Sequence, residues 1–118
     1  EEGMRTQSGS WGSAATPLSV RCCELHTYAC GGSLLDATHT DEGSSLTLSV
    51  LLAAPVSGGE MLTYNASGGE VVHQMSVGDA LLFHSEKRHN VAQVTGGMRR
   101  SLVVELWAAP PNVMDRYG

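Results

Sequence analysis

The chain is divided into short stretches of β-branched, aromatic and aliphatic residues, separated by glycine, proline, asparagine and serine. The stretches most typical of strands lie at 20–28, 46–52, 60–64, 71–75, 80–83 and 99–107. Turn residues recur about every 8 to 12 positions, as in β-sandwiches and barrels, and no segment keeps a helical period over three turns. We therefore predict an all-β fold. A jelly-roll barrel, or double-stranded β-helix, is the all-β form that leaves a cavity between its sheets.

The composition of the chain indicates a globular protein and argues against nucleic acid as a partner. The chain has 118 residues, which is enough for one domain with a single core. Charged residues make up 16% and hydrophobic residues 42%, the balance of a globular protein rather than a disordered one. The net charge of -5 argues against nucleic acid as a partner, because a nucleic-acid surface carries a basic patch. No apolar run approaches the roughly 18 to 20 residues of a membrane span.

The chain is predicted to have three parts. Residues 1–19 are rich in glycine, serine, threonine and proline, so we expect an irregular lead-in or the remnant of a missing upstream region. Residues 20–109 contain all of the predicted strands and form the predicted core. Residues 110–118 begin with two prolines and form a tail.

The three cysteines give little sign of a disulfide framework. Cys22 and Cys23 are adjacent, so on a strand they point to opposite faces and would not chelate an ion together. With Cys30 they make an odd number, and we expect three thiols that fill apolar space or lie at the surface. This favours a reducing, intracellular (cytoplasmic) compartment, with the endoplasmic reticulum as the alternative.

His39 and Asp41 stand one residue apart, just ahead of the stretch 46–52. Side chains alternate along an extended chain, so these two point to the same side and can converge on one ion. Two imidazoles and one carboxylate on one face of a metal leave open positions, which is the arrangement of non-haem Fe(II) oxygenases. The pair alone is weak evidence and needs a third ligand.

His89 is the predicted third ligand. It lies far along the chain from His39, as expected when ligands come from opposite sheets of a barrel, and neutral imidazole is the commonest protein metal ligand. The rival histidines are His26, His73 and His84. Of His84 and His89, only one is expected to face inward.

Arg99 and Ser101 share one side of the last predicted strand, whereas Arg100 takes the other. The residues that follow are apolar, so an arginine that points inward here needs a partner. A carboxylate is a suitable partner because guanidinium binds it through two charge-assisted hydrogen bonds. A bound dicarboxylate would satisfy both residues.

Together these motifs resemble those of the Fe(II)/2-oxoglutarate-dependent dioxygenases, in which an H-x-D pair, a distal histidine and an arginine about ten positions further on occur in this order. The matching motifs are Gly58-Gly59-Glu60, Gly78-Asp79-Ala80-Leu81-Leu82-Phe83 and His89-x-Val91 followed by Gly97-x-Arg99-x-Ser101-Leu102. They resemble the prolyl 4-hydroxylase-like branch most closely, and the resemblance extends over about residues 24–107.

The resemblance implies specific roles for these residues. His39, Asp41 and His89 would bind Fe(II), and Arg99 with Ser101 would hold the distal carboxylate of the co-substrate 2-oxoglutarate. Tyr28 matches a position where such enzymes place a tyrosine near the co-substrate. Residues 20–109 would then be a dioxygenase core that hydroxylates a C–H bond, with ascorbate as reductant.

The resemblance also implies an acceptor, a prolyl residue in a peptide or protein, with a free small molecule as the alternative. The sequence departs from the family in one respect, because the helices that normally precede the barrel and brace its major sheet are absent before Val20. We therefore expect either a catalytic-core fragment or a reduced natural form.

Two other functions remain open. A cupin-like metalloprotein could use the same fold and ligands without 2-oxoglutarate, but it would not need an inward arginine. A non-catalytic jelly-roll binding module would not need the complete set of His39, Asp41, His89 and Arg99. The oligomeric state is equally open.

Overall fold

The computed structural model describes residues 17–112 and, further upstream, the backbone of a short strand. The strands are β1 (Met4–Thr6), β2 (Ser19–Tyr28), β3 (Leu46–Ala53), β4 (Ser57–Gly58), β5 (Met61–Tyr64), β6 (Glu70–His73), β7 (Ala80–His84), β8 (His89–Val91), β9 (Val94–Gly96) and β10 (Arg99–Trp107). The described residues contain no helix, and hence none that could cross a membrane. The chain is all-β, as predicted.

The largest sheet has five strands in the order β1-β7-β3-β10-β2. Strand β10 pairs with both β2 and β3, and all neighbours run antiparallel except β1 and β7, which are parallel. Strand β10 begins and ends at the predicted residues. Strand β1 was not predicted, and it lies within the stretch that was expected to be irregular.

Two smaller sheets lie opposite the five-stranded sheet across the interior. One has the order β6-β5-β8 and the other pairs β4 with β9. A core cluster joins the large sheet to the three-stranded one, through Leu81 and Phe83 on β7, Met61 on β5 and Val91 on β8. The barrel is thus closed by apolar contacts between inward side chains, which supply most of the favourable free energy of such packing.

The segment 90–94 contains the end of one strand and the start of another. Strand β8 ends at Val91 and β9 begins at Val94, in different sheets. Between them, the Ala92 amide donates to the carbonyl of Glu60, and the Gln93 carbonyl accepts from the amide of Gly59. The chain crosses from one sheet to the other at this point, which an apolar pattern alone does not reveal.

Gly58 makes the close approach of β4 and β9 possible. Its φ is +72°, and a Cβ at this position would clash with the carbonyl oxygen of Gln93. Because only glycine has this freedom, Gly58 allows the short β4–β9 sheet to form.

Strand β10 carries polar side chains into the interior. Its buried residues alternate with half-buried ones, so Arg99, Ser101, Val103 and Glu105 face inward. The period of two follows from the pleat of a strand. Three polar or charged groups inside a barrel are costly unless each finds a partner, so this row marks the part of the fold where function is to be sought.

Candidate metal centre and carboxylate site

Three side chains converge inside the barrel: His39, Asp41 and His89. One ligand atom from each lies within 4.8 Å of the other two. The Nε2 atoms of His39 and His89 are both 3.4 Å from Oδ1 of Asp41. Asp41 and His89 are buried and His39 is half-buried, so the group is shielded but can be reached from one side.

The H-x-D pair lies in the loop between β2 and β3 rather than on a strand. Its two side chains converge nevertheless, because hydrogen bonds fix the loop. The Asp41 amide donates to the carbonyl of Ser85, 2.9 Å away, and the His89 amide donates to the carbonyl of His39, 3.2 Å away. The loop is therefore tied to the residues that precede and begin β8.

Asp41 is oriented by a chain of buried hydroxyls. The Thr47 hydroxyl donates to Oδ2 of Asp41 at 2.8 Å, and because it has one proton, it accepts from Ser85 Oγ, also 2.8 Å away. This leaves Oδ1 facing the two imidazoles. Burial tends to raise the pKa of Asp41, but its contacts with His89, Thr47 and His39 outweigh burial and hold the pKa below its usual value of 3.8.

His89 is oriented by its own backbone neighbourhood. Its Nδ1 lies 2.9 Å from the carbonyl oxygen of Lys87, which can only accept, so Nδ1 carries the proton. In the neutral ring Nε2 is then the atom that can bind a metal. Burial tends to lower the pKa of His89, but the contacts with Asp41 prevail and the pKa lies above its usual value of 6.5.

The residues on either side of His89 hold the loop that carries His39. The Arg88 guanidinium donates to the carbonyl of Ala37 at 2.8 Å, and the amide of Asp36 donates to Oδ1 of buried Asn90 at 3.0 Å. Asn90 also donates to the Tyr64 hydroxyl at 2.7 Å. Three consecutive residues, 88–90, thus contact the loop at 36–39.

The donor set fits Fe(II). Two neutral imidazoles and one carboxylate gathered on one face of an ion leave positions for other ligands, which is the pattern of non-haem Fe(II) sites. A structural zinc site would instead have four protein ligands in a closed tetrahedron. His39, Asp41 and His89 would therefore be able to hold an Fe(II) ion.

Arg99 is a buried cation without an acidic partner among the described residues. It is 3% exposed, its Nη1 donates to the Ser101 hydroxyl at 3.2 Å, and no carboxylate in the described part of the chain forms an ion pair with it. Burial lowers the pKa of its guanidinium, and the nearby Tyr28 hydroxyl opposes this effect. Such a group is stabilised strongly by an anion that enters the cavity.

Tyr28 lies directly opposite Arg99 in the β2–β10 pairing. Burial raises the pKa of its hydroxyl, and the positive charge of Arg99 partly offsets that rise. Because the hydroxyl stays protonated at neutral pH, it can donate a hydrogen bond to an anion near Arg99.

All of the residues predicted for the site line one cavity. Its walls are formed by His26, Tyr28, Leu34, His39, Asp41, Thr47, Ser49, Met61, Phe83, His89, Val91, Arg99, Ser101 and Val103. A larger cleft of about 180 Å³ also reaches Arg99, but it contains none of the three candidate metal ligands. Arg99 and Met61 line both spaces.

The rival histidines have different positions. His26 lines the cavity and lies 3.0 Å from a carboxylate oxygen of Glu24. His73 lies on β6, and its Nε2 is 2.7 Å from the Thr63 hydroxyl. His84 directly follows buried Phe83 on β7, so its side chain points to the opposite face of the sheet. Neither His73 nor His84 lines the cavity of the metal centre.

The sequence did not predict the roles of Thr47, Ser85 and Asn90. The hydroxyl of Thr47 holds Asp41 in place. Its parity on β3 shows that it faces inward, but its partner follows only from the path of the loop. Ser85 and Asn90 sit in a polar stretch that carries no local signal of burial.

No protein-family model matches the chain, and no curated protein matches it in sequence. Solved structures do resemble it. An oxidoreductase of the 2OG-Fe(II) oxygenase family from Burkholderia pseudomallei has a TM-score of 0.70 and 19% identity, over 81% of this chain and 48% of that one.

Two further structures resemble the chain to a similar degree. A prolyl-4-hydroxylase from Pseudomonas putida has a TM-score of 0.64 and 23% identity, over 74% of this chain and 52% of that one. AviO1 from Streptomyces viridochromogenes Tue57 has a TM-score of 0.66 and 19% identity, over 80% and 52%. The chain therefore spans about half the length of each. At these identities the likeness shows the fold, and it confirms the predicted jelly-roll barrel.

Proposed function

We propose that the chain forms the core of an Fe(II)- and 2-oxoglutarate-dependent dioxygenase that hydroxylates a C–H bond. One observation carries this proposal: a two-histidine, one-carboxylate cluster and a buried arginine without an acidic partner among the described residues line the same cavity. The first can hold Fe(II) and the second attracts a carboxylate. A cupin-like metalloprotein would have no use for the second.

His39, Asp41 and His89 are the proposed metal ligands. Thr47 fixes the orientation of Asp41, and the Lys87 carbonyl fixes the tautomer of His89. When bound, Fe(II) with 2-oxoglutarate and dioxygen supplies the oxidising power, and the co-substrate is converted to succinate and carbon dioxide.

Arg99 and Ser101 are the proposed ligands of the distal carboxylate of 2-oxoglutarate. Arg99 offers several donors in one plane, and the Ser101 hydroxyl, which accepts from Arg99, can donate its own proton to the same carboxylate. Tyr28, opposite Arg99, supplies a further donor. The apolar side chains of Met61, Phe83 and Val91 exclude water from the cavity.

The proposed acceptor is a prolyl residue in a peptide or protein, with ascorbate as the reductant that keeps iron ferrous. The motifs shared with the prolyl 4-hydroxylase-like branch support this choice, as does the likeness to the Pseudomonas putida prolyl-4-hydroxylase. Because the chain spans about half of that structure, the acceptor needs a direct assay with several peptides of different sequence.

The experiment supplies the protein with Fe(II), 2-oxoglutarate, ascorbate, dioxygen and a set of proline-containing peptides. We expect succinate to form and one peptide to gain an oxygen atom, both measured by mass spectrometry. Asp41→Ala should abolish both products. Arg99→Ala should raise the concentration of 2-oxoglutarate that is required, whereas Arg100→Ala, which alters the neighbouring arginine on the outer face, should not.

Other results of this experiment would change the proposed acceptor, the proposed co-substrate or the proposed enzymatic activity. Succinate formed with a free amino acid but with no peptide would replace the acceptor. Oxidation of a substrate without 2-oxoglutarate would indicate a cupin-like enzyme. A folded protein that binds no iron and forms no succinate would be a binding module, and the proposal would be wrong.

A further inference from the structure

A second group of metal-ligating side chains lies beside the candidate metal centre. Sγ of Cys22 and one carboxylate oxygen each of Glu24 and Glu105 lie within 4.8 Å of one another. Cys22 and Glu105 face each other across the β2–β10 pairing, and Glu24 is two residues further along the same face of β2. We infer that these three residues form a second divalent-metal site, separate from the His39, Asp41 and His89 cluster.

The charges at this position favour a cation. Glu105 is 1% exposed, and the carboxylate of Glu24 is close to it. The Glu24 side chain is 31% exposed, and two carboxylates at this distance repel each other. Arg21 is 3.5 Å from Glu105 and also donates to the Ser44 hydroxyl and to the Glu42 carbonyl. A divalent ion between the carboxylates would offset their repulsion at both of them.

The chemistry of the donors selects the ion. Cys22 offers sulfur and the two glutamates offer carboxylate oxygen, whereas His26, whose Nε2 is 3.0 Å from Glu24 Oε1, lies beside the group and is not part of it. Sulfur and carboxylate oxygen together suit Zn²⁺ or Co²⁺. Mg²⁺ and Ca²⁺ take oxygen ligands almost exclusively and fit poorly beside a thiolate.

This second site would have a structural role. Its three protein donors come from two neighbouring strands, so an ion held by them would connect those strands. The ion would tie edge strand β2, which carries Tyr28, to β10, which carries Arg99. It would also brace the loop of the first centre, because the Ser44 hydroxyl donates to Glu105 at 2.6 Å and the Ser44 amide donates to the Asp41 carbonyl.

The test is titration of Co²⁺ into the metal-free chain, followed by near-ultraviolet absorption. A thiolate bound to Co²⁺ gives a charge-transfer band that carboxylates and imidazoles do not give. We expect this band in the wild type and its loss in Cys22→Ser. Cys23→Ser is the matched control, because this neighbouring cysteine is exposed on the opposite face of β2, and the band should persist. Glu24→Gln should weaken Co²⁺ binding.

A variant of the His39, Asp41 and His89 cluster, together with measurements of the melting temperature, distinguishes the Cys22 site from that cluster. Asp41→Ala removes a ligand of the first cluster and should keep the thiolate band. Zn²⁺ should raise the melting temperature of the wild type and of Cys23→Ser but not of Cys22→Ser, and the metal-free melting curves show that each variant is folded. Absence of the band in the wild type, or its equal loss in both cysteine variants, would overturn the inference and leave the dioxygenase proposal untouched.

Discussion

Asp41 owes its orientation to a threonine on the neighbouring strand. The Thr47 hydroxyl is buried, binds one carboxylate oxygen and receives a hydrogen bond from Ser85. The other carboxylate oxygen is left facing His39 and His89. Contacts of this kind hold a metal ligand in the orientation that the ion requires.

Replacing Thr47 by valine should weaken metal binding without removing a ligand. The change keeps the shape of the side chain but deletes the hydrogen bond to Asp41, and loss of such a contact typically costs about 10- to 100-fold in metal affinity. The affinity for Mn²⁺, a redox-stable substitute for Fe(II), is measured by calorimetry. Thr47→Ser, which keeps the hydroxyl, should bind as the wild type does. Equal affinity in Thr47→Val and wild type would contradict the role given to Thr47.

The pKa of His89 gives metal binding a defined dependence on pH. Asp41 raises the pKa of His89 above 6.5, so in the metal-free chain the imidazole is protonated at higher pH than an isolated histidine. Metal binding needs the neutral ring, so affinity for Mn²⁺ should fall as pH is lowered through this raised pKa. The carboxylate of Asp41 stays ionised over the same range, because its pKa lies below 3.8.

The contact between His89 and Asp41 has the opposite pH dependence in its effect on the stability of the metal-free chain, which should decrease as pH rises. A histidine whose pKa is raised by folding stabilises the folded state below its unfolded pKa, and this contribution is lost as pH rises through the folded pKa. Urea unfolding should therefore show a stabilising contribution of His89 that declines above pH 6.5 and is missing in His89→Gln. An affinity that rises on acidification, or a contribution that grows with pH, would contradict the sign of the shift.

At the scale of elements, the loop before β3 and the start of β8 form one unit. Backbone and side-chain groups of residues 88–90 contact residues 36–39 at three points. Asn90 is central to this unit, because it accepts from the Asp36 amide and donates to the Tyr64 hydroxyl while buried. Ligands that are distant in the sequence are held together by this contact between a loop and a strand.

Asn90→Ala should therefore lower both stability and metal affinity. It leaves the Asp36 amide and the Tyr64 hydroxyl without their partner, a loss of about 1–3 kcal/mol in the free energy of unfolding. Asn65→Ala is the control, because Asn65 also binds two backbone amides, but in an exposed turn. It should reduce stability in urea and leave Mn²⁺ affinity unchanged. If the two variants bound Mn²⁺ equally well, residues 88–90 would not position His39.

The elements that could be predicted from the sequence are those with a local signal. The pattern of residues along β10 predicted both its bounds and the inward direction of Arg99 and Ser101. This was possible because successive side chains of a strand point to opposite faces, so direction can be read from neighbouring positions alone. The path of the loop at 37–45 has no such signal. Parity suggested that His39 and Asp41 point the same way, but hydrogen bonds to Ser85 and His89, far along the chain, hold them there.

At the scale of the whole molecule, function depends on strand order. The order β1-β7-β3-β10-β2 places Thr47 and Cys22 on either side of Glu105. No pattern within one segment predicts these neighbours, so the proposed second metal group could not be expected from the sequence. The fold class and the three candidate iron ligands were predicted because they rest on periodicity and on motifs.

The proposed function requires that one barrel cavity bind both Fe(II) and 2-oxoglutarate. This can be measured by anaerobic titration of Fe(II) into the metal-free protein with 2-oxoglutarate present. We expect the weak visible metal-to-ligand charge-transfer band of the chelated complex. The band should require both components, disappear in Asp41→Ala and need more 2-oxoglutarate in Arg99→Ala. If iron bound without this band at any 2-oxoglutarate concentration, the proposed role of 2-oxoglutarate would be wrong.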